Sequence, residues 1–164
     1  MDSLARTLAR YALAARDDDF PAEARTRALD AITDCIACML AGAKEPLAGM
    51  VKNVVSGAPR ETGRALLVGT NEYSTPADAA LYNGAIAHAL DYDDTNHPGY
   101  AHPSAAILPA MMAVAEMADA TGRDIITGYI IGLEVIGKLG RAMHPQHMKQ
   151  GWHGSKHVAW NTTH

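Results

Sequence analysis

Between Thr75 and Leu90 the sequence reads TPADAALYNGAIAHAL, and this stretch limits the folds open to the chain more than any other. Thr75-Pro76-Ala77-Asp78 combines a capping hydroxyl, a proline at the first helical position and an acid two residues later, which is a helix start. Ala79, Ala80, Asn83, Gly84 and Ala87 then leave little side-chain bulk. A helix so thin-sided lets a neighbouring backbone come close, and it gains stability only by being packed against other elements. The spacing predicts a helix from Ala77 to about Leu90 with close helical neighbours.

Those neighbours are legible on both sides. Leu4, Leu8, Tyr11 and Ala15 recur at helical spacing, with Ser3 as cap. Pro21 opens a second helix whose apolar stripe is Ala24, Ala28, Ile32, Cys35, Ile36, Met39 and Leu40, ending at Gly42. Leu47 to Val55 reads as a third helix, closed by Gly57. Ala65 to Val68 reads as a short extended piece before the turn-prone Gly69-Thr70-Asn71. A Met- and Ala-rich helix runs from about Ser104 to Ala120, with Pro109 in its early turns. After Thr121-Gly122 another helix runs from Ile125 to Arg141, and its glycines imply tight packing. The expectation is all-α: one compact multi-helix domain, without repeats or low-complexity linkers.

Composition agrees. The 164 residues suffice for one domain with its own core. Ala and Gly are abundant and there is one Phe, which favours close-packed helices over an aromatic β core. A net charge of -4 argues against a nucleic-acid partner. The most apolar stretch, Ile125 to Ile136, is shorter than the roughly 20 residues of a membrane span and contains Glu134. The start MDSLARTLARY lacks the apolar run of a secretory signal, and Asp17, Asp18 and Asp19 do not suit a mitochondrial presequence. A cytoplasmic protein without a membrane partner is expected. Cys35 and Cys38, the only cysteines, lie one helical turn apart on an apolar face and read as core rather than as a redox or metal pair.

Two polar stretches could carry chemistry. HALDYDDTNHPGYAHPS, from His88 to Ser104, gathers His88, Asp91, Asp93, Asp94, Thr95, His97 and His102 on a helix end and its following loop. Each residue alone is an ordinary cap or surface group. Together, after so thin-sided a helix, they point to a site. KLGRAMHPQHMKQGWHGSKH, from Lys138 to His157, carries Lys138, Arg141, Lys149, Lys156 and four histidines with no acid. It reads equally as a solvated basic helix end or as a surface that collects an anion. Phosphate-loop motifs are absent. Two mechanisms fit. In the first, His and Asp move a proton next to a carboxylate, with cationic groups stabilising the enolate-like charge. In the second, His88, Asp91 and His102 hold a metal that activates water, although the tight spacing of a motif such as HExxH is missing.

NGAIAHALDYDDTNHPGYAHPSAAILPAMMAVAE, the later GYIIGLEVIGKLG and GWH, together with the earlier DCIACMLAG, resemble the MmgE/PrpD family. That family includes 2-methylcitrate dehydratase, cis-aconitate decarboxylase and iminodisuccinate epimerase. The resemblance implies an all-α domain, with a separate α+β lid domain later in the chain. It implies a homodimer and a site between the domains that works without metal or organic cofactor on small polycarboxylates. Carried over residue by residue, it marks Asp91, Thr95, His102 and His153 as catalytic. His102 and His153 would be acid/base groups or contacts to substrate carboxylates, Asp91 would orient or charge-balance a histidine, and Thr95 would donate a hydrogen bond. On this reading residues 1–153 form the N-terminal portion of the helical domain and residues 154–164 an atypical tail. The lid and the family's catalytic lysine are missing, Lys156 does not replace that lysine, and activity is impaired. Exposed apolar faces would then drive association. The rival expectations are a metal-dependent all-α hydrolase and a non-catalytic remnant that dimerises or binds anions.

Overall fold

The computed structural model describes residues 3–55, 65–97 and 101–149, with side chains described through residue 142. Among these residues the architecture is six helices and one short ribbon. Helix α1 is Leu4–Ala14, α2 Ala22–Gly42, α3 Pro46–Lys52, α4 Pro76–His88, α5 Pro103–Ala118 and α6 Gly122–Lys149. A 3₁₀ turn, Asp17–Asp19, joins α1 to α2. Strands β1, Ala65–Leu66, and β2, Tyr73–Ser74, pair antiparallel, with Ala65 opposite Ser74 and Leu66 opposite Tyr73. No described helix is long and apolar enough to cross a membrane. The all-α expectation holds, and the extended piece expected at Ala65 to Val68 is this ribbon.

Local chemistry sets the helix starts. Ser3 Oγ accepts from Arg6 N–H at 3.3 Å and opens α1. Thr75 Oγ1 accepts from Asp78 N–H at 3.3 Å, with Pro76 in the first turn, and opens α4. Several boundaries differ from the sequence reading, α4 among them, which runs Pro76–His88 rather than Ala77 to about Leu90. Helix α3 closes at Lys52, and Gly57 lies outside the described residues. Helix α5 begins at Pro103 and keeps Pro109 inside it, buried. Helix α6 runs past Arg141 to Lys149.

Helix α4 lies at the centre, against α2, α3 and α5, while α6 packs on α5 and α2. Ala79, Tyr82, Asn83, Ile86 and Ala87 of α4 are all buried. Around them lie Cys35 and Met39 of α2, Leu67 from the ribbon, Leu108 of α5 and Tyr129 of α6. Each large apolar side chain sealed in this way contributes about 1.5–3 kcal/mol. The thin sides of α4 are used as the sequence implies. A Cβ placed on Gly42 would stand 2.0 Å from the Ile86 carbonyl oxygen, and one on Gly84 3.1 Å from the Ala105 carbonyl oxygen. Gly42 does end α2, but as a contact surface rather than as a left-handed cap. Among the described glycines only Gly69, in the ribbon turn, has a positive φ, of 81°.

The ribbon is tied to α4 by one side chain. Buried Asn83 accepts from Val68 N–H at 2.9 Å and donates through Nδ2 to the Leu66 carbonyl at 2.9 Å. Both cysteines are free and buried, as the core reading expects.

Candidate active site

The polar segment between α4 and α5 is shaped by its backbone before its side chains matter. Helix α4 ends at His88, and Asp91 N–H bonds back to the His88 carbonyl at 3.2 Å. Asp91 then adopts a left-handed backbone, φ 55°, a conformation Asp tolerates better than most residues. This reversal turns the chain back toward the helix end. Further on, Asn96 N–H bonds to the Ala101 carbonyl at 2.9 Å and closes the loop as an isolated antiparallel bridge. His102 follows as the residue that caps α5, with Pro103 in the first turn.

His102 does not cap α5 with its own side chain. Asp94 does so from ten residues away, its Oδ1 accepting from Ser104 N–H at 3.1 Å. Ser104 Oγ in turn hydrogen-bonds the Tyr129 hydroxyl on α6. Burial pushes the Asp94 carboxyl up from its ordinary range, with the hydrogen bonds from Ser104 opposing. Burial likewise pushes the Tyr129 phenol up to about 12. The His102 imidazole is therefore released from capping and held by a helix start locked to two neighbouring elements.

Four side chains converge there. Asp93, whose side chain is 0% exposed, is hydrogen-bonded to His88 Nδ1 at 2.9 Å. His102 Nδ1 lies 3.4 Å from the same Asp93 oxygen, and the two imidazole rings sit 4.6 Å apart, tilted by 59°. On the opposite edge of its ring, His102 Nε2 lies 3.7 Å from Asp91 Oδ1, and the Asp91 side chain is 71% exposed. His102 thus spans from a sealed carboxylate to an open one. One donor atom from each of His88, Asp91, Asp93 and His102 lies within 4.8 Å of the others, close enough for the set to hold a metal ion. Without an ion the set can take up and return a proton at the Nε2 edge of His102, because a new imidazolium would meet a carboxylate on each side.

The structure brings Asp91 and His102 together, and Thr95 is exposed on the same loop. His153 and Lys156 lie outside the described residues. Of the basic stretch, Lys138 pairs with Glu134 one helical turn away and stands 5.6 Å over the Tyr11 ring. His88 and Asp93 are contact-making members of the set; the sequence reading weighed His88 only as a metal ligand and gave Asp93 no role beyond membership of the polar stretch. Their signal was the five-residue interval across a helix end, which has meaning only once the Asp91 turn is known.

Comparison with known proteins gives relatives of one kind, among them the following three. The cis-aconitate decarboxylase of Aspergillus terreus is 30% identical over 143 residues, which is 83% of this chain and 29% of that protein. The cis-aconitate decarboxylase-like protein oryM of Aspergillus oryzae is 28% identical over 146 residues, 84% of this chain and 30% of that protein. The human cis-aconitate decarboxylase is 41% identical over 68 residues, 39% of this chain and 14% of that protein. The chain spans under a third of the length of these relatives. The family profile of the MmgE/PrpD N-terminal domain matches residues 6–163.

Proposed function

The chain belongs to the MmgE/PrpD family, and from that footing we propose that its helices supply the acid/base wall of a lyase or isomerase site. The substrate is a small polycarboxylate. The reaction is dehydration, decarboxylation or epimerisation by proton transfer beside a carboxylate, without metal or organic cofactor. The observation that carries this reading is the placement of His102 between Asp93 at Nδ1 and Asp91 at Nε2. A neutral imidazole there accepts a proton at its open edge, and the carboxylate at 3.7 Å balances the cation that forms. The names of the relatives, all cis-aconitate decarboxylases or decarboxylase-like, support a tricarboxylate-sized ligand. Thr95 and His153 remain proposed partners, Thr95 as a hydrogen-bond donor and His153 as a second acid/base or carboxylate contact. The working form is a cytoplasmic homodimer. Leu13, Met50 and Val54 leave apolar surface for association, at 78%, 65% and 75% exposure.

Ring NMR of His102 tests the site. The chain is titrated with cis-aconitate, citrate and 2-methylcitrate, with acetate as control. The expected result is a shift of the His102 signals with at least one polycarboxylate and none with acetate. Signals unmoved by every polycarboxylate in a folded sample would overturn the reading. The four-group set also supports a metal-dependent hydrolase as a second reading. Metal analysis separates the two, because a stoichiometric, tightly held metal belongs only to the second.

A further inference from the structure

Asp91 is the aspartate that the sequence pattern marks, yet the aspartate in contact with both histidines is Asp93. Its side chain is fully buried, whereas that of Asp91 is 71% exposed. A buried carboxylate is costly unless donors surround it. Asp93 meets His88 Nδ1 at 2.9 Å with one oxygen and 3.2 Å with the other, and His102 Nδ1 at 3.4 Å. An ionised carboxylate only accepts hydrogen bonds, so the His88 nitrogen bonded to it carries the proton. The His102 Nδ1 contact lies outside hydrogen-bond geometry, and there the buried charge 3.4 Å away favours the proton on Nδ1 over Nε2, whose neighbour Asp91 is exposed and 3.7 Å away.

We infer that Asp93 is a positioning residue, a single buried carboxylate that holds both His88 and His102 in the Nδ1–H form and so reserves Nε2 of His102 for proton transfer. This deepens the acid/base reading above and rests on it for its place in catalysis. The consequence is directional. With the Nδ1 proton facing Asp93, the lone pair of a neutral His102 is at Nε2, the edge that faces exposed Asp91. The opposite tautomer would place the lone pair against a buried carboxylate and the proton at the open edge, where the ring could not act as a base. His88 is the donor that satisfies Asp93 in its sealed position. It acts through Asp93 and has no contact with substrate in this scheme.

Long-range proton–nitrogen NMR on the nitrogen-15-labelled chain reads the tautomer without any turnover. In the wild-type chain the neutral form of His102 is expected to carry its proton on Nδ1, and His88 the same. Asp93→Asn replaces the carboxylate by a neutral amide, so the negative charge that favours the proton on both Nδ1 atoms is lost and the amide NH2 can face a ring as a donor. An Nε2–H population that the wild type lacks should appear at His88 or His102. A wild-type His102 in the Nε2–H form overturns the inference outright and needs no variant to fold. Unchanged tautomers in a folded Asp93→Asn chain overturn it as well. In a full-length relative, the matching substitution should lower kcat tenfold or more, shift the pH profile of kcat and change KM less than threefold. An equal loss in both parameters with an unmoved pH profile would mark Asp93 as merely structural. Failure of the lyase reading shows separately, as unchanged turnover when the histidine matching His102 is replaced.

Discussion

Asp91 Oδ1 lies 3.7 Å from His102 Nε2, although one residue is on an exposed left-handed turn and the other is buried at a helix start. The pair joins the two ends of one loop. It places a carboxylate at the Nε2 edge of His102, and it ties the conformation of a single backbone residue to the chemistry of the site.

Asp91→Gly should separate stability from function. Glycine adopts the left-handed conformation without the strain of a side chain, so stability should stay level or rise by up to about 1 kcal/mol. The pairing with His102 is lost, and turnover in the matching full-length variant should fall. Urea denaturation of the chain checks the first part, and a drop in stability would show that the Asp91 side chain supports the fold.

Substitutions at two glycines of the same helical neighbourhood should have opposite signs. Gly42→Ala would press a methyl group into the Ile86 carbonyl at 2.0 Å, so α2 and α4 would have to part. A loss at or above about 3 kcal/mol is expected, the upper range for overpacking. Gly49→Ala in α3 meets nothing within 4 Å and should stabilise by about 0.5–1 kcal/mol. Thermal denaturation of both variants gives the comparison. A Gly42→Ala chain as stable as the wild type would contradict the close α2–α4 approach.

Much of this fold was legible because it is locally determined. The Thr75-Pro76-Ala77-Asp78 start predicts α4 since the hydroxyl and the proline act within one turn. The small residues of α4 predict close neighbours, and Gly42 and Gly84 show which backbones approach. Other features were not legible because they depend on folding at a distance. Asp91, Asp93 and Asp94 have the same chemistry in the sequence, yet one is open, one is sealed between histidines and one caps a helix ten residues away. Only the reversal at Asp91 and the packing of α5 on α4 distinguish them.

Asn83 should prove expensive to replace. Asn83→Ala leaves Val68 N–H and the Leu66 carbonyl without the partners they have now at 2.9 Å each. Each buried group so stranded costs about 1–3 kcal/mol. A total loss of about 2–4 kcal/mol in denaturant unfolding is expected. A loss under about 0.5 kcal/mol, the range of ordinary surface changes, would contradict the bridging role.

The chain should lose stability in alkali. Burial pushes the Cys35 thiol up to about 12 from an ordinary 9.0, and the Tyr129 phenol up to about 12 from 10.0. The folded chain keeps these protons at pH values where the unfolded chain releases them. Their contribution is therefore full below about pH 9 and declines as pH rises from there toward 12. Equilibrium unfolding measured across that range should show the fall, and its absence would contradict the burial of both groups. At pH 8 a thiol reagent should leave Cys35 unmodified until denaturant is added.

The most direct measurement is turnover followed by proton NMR in heavy water, in the Aspergillus terreus relative with cis-aconitate, with and without glutamine at the histidine matching His102. Glutamine preserves polarity and approximate size but cannot carry a proton to and fro. A fall in turnover of about 10²–10⁴, the range for a lost general acid or base, is the predicted result. Turnover equal to the wild type would contradict the assignment of His102 as the proton-transfer residue.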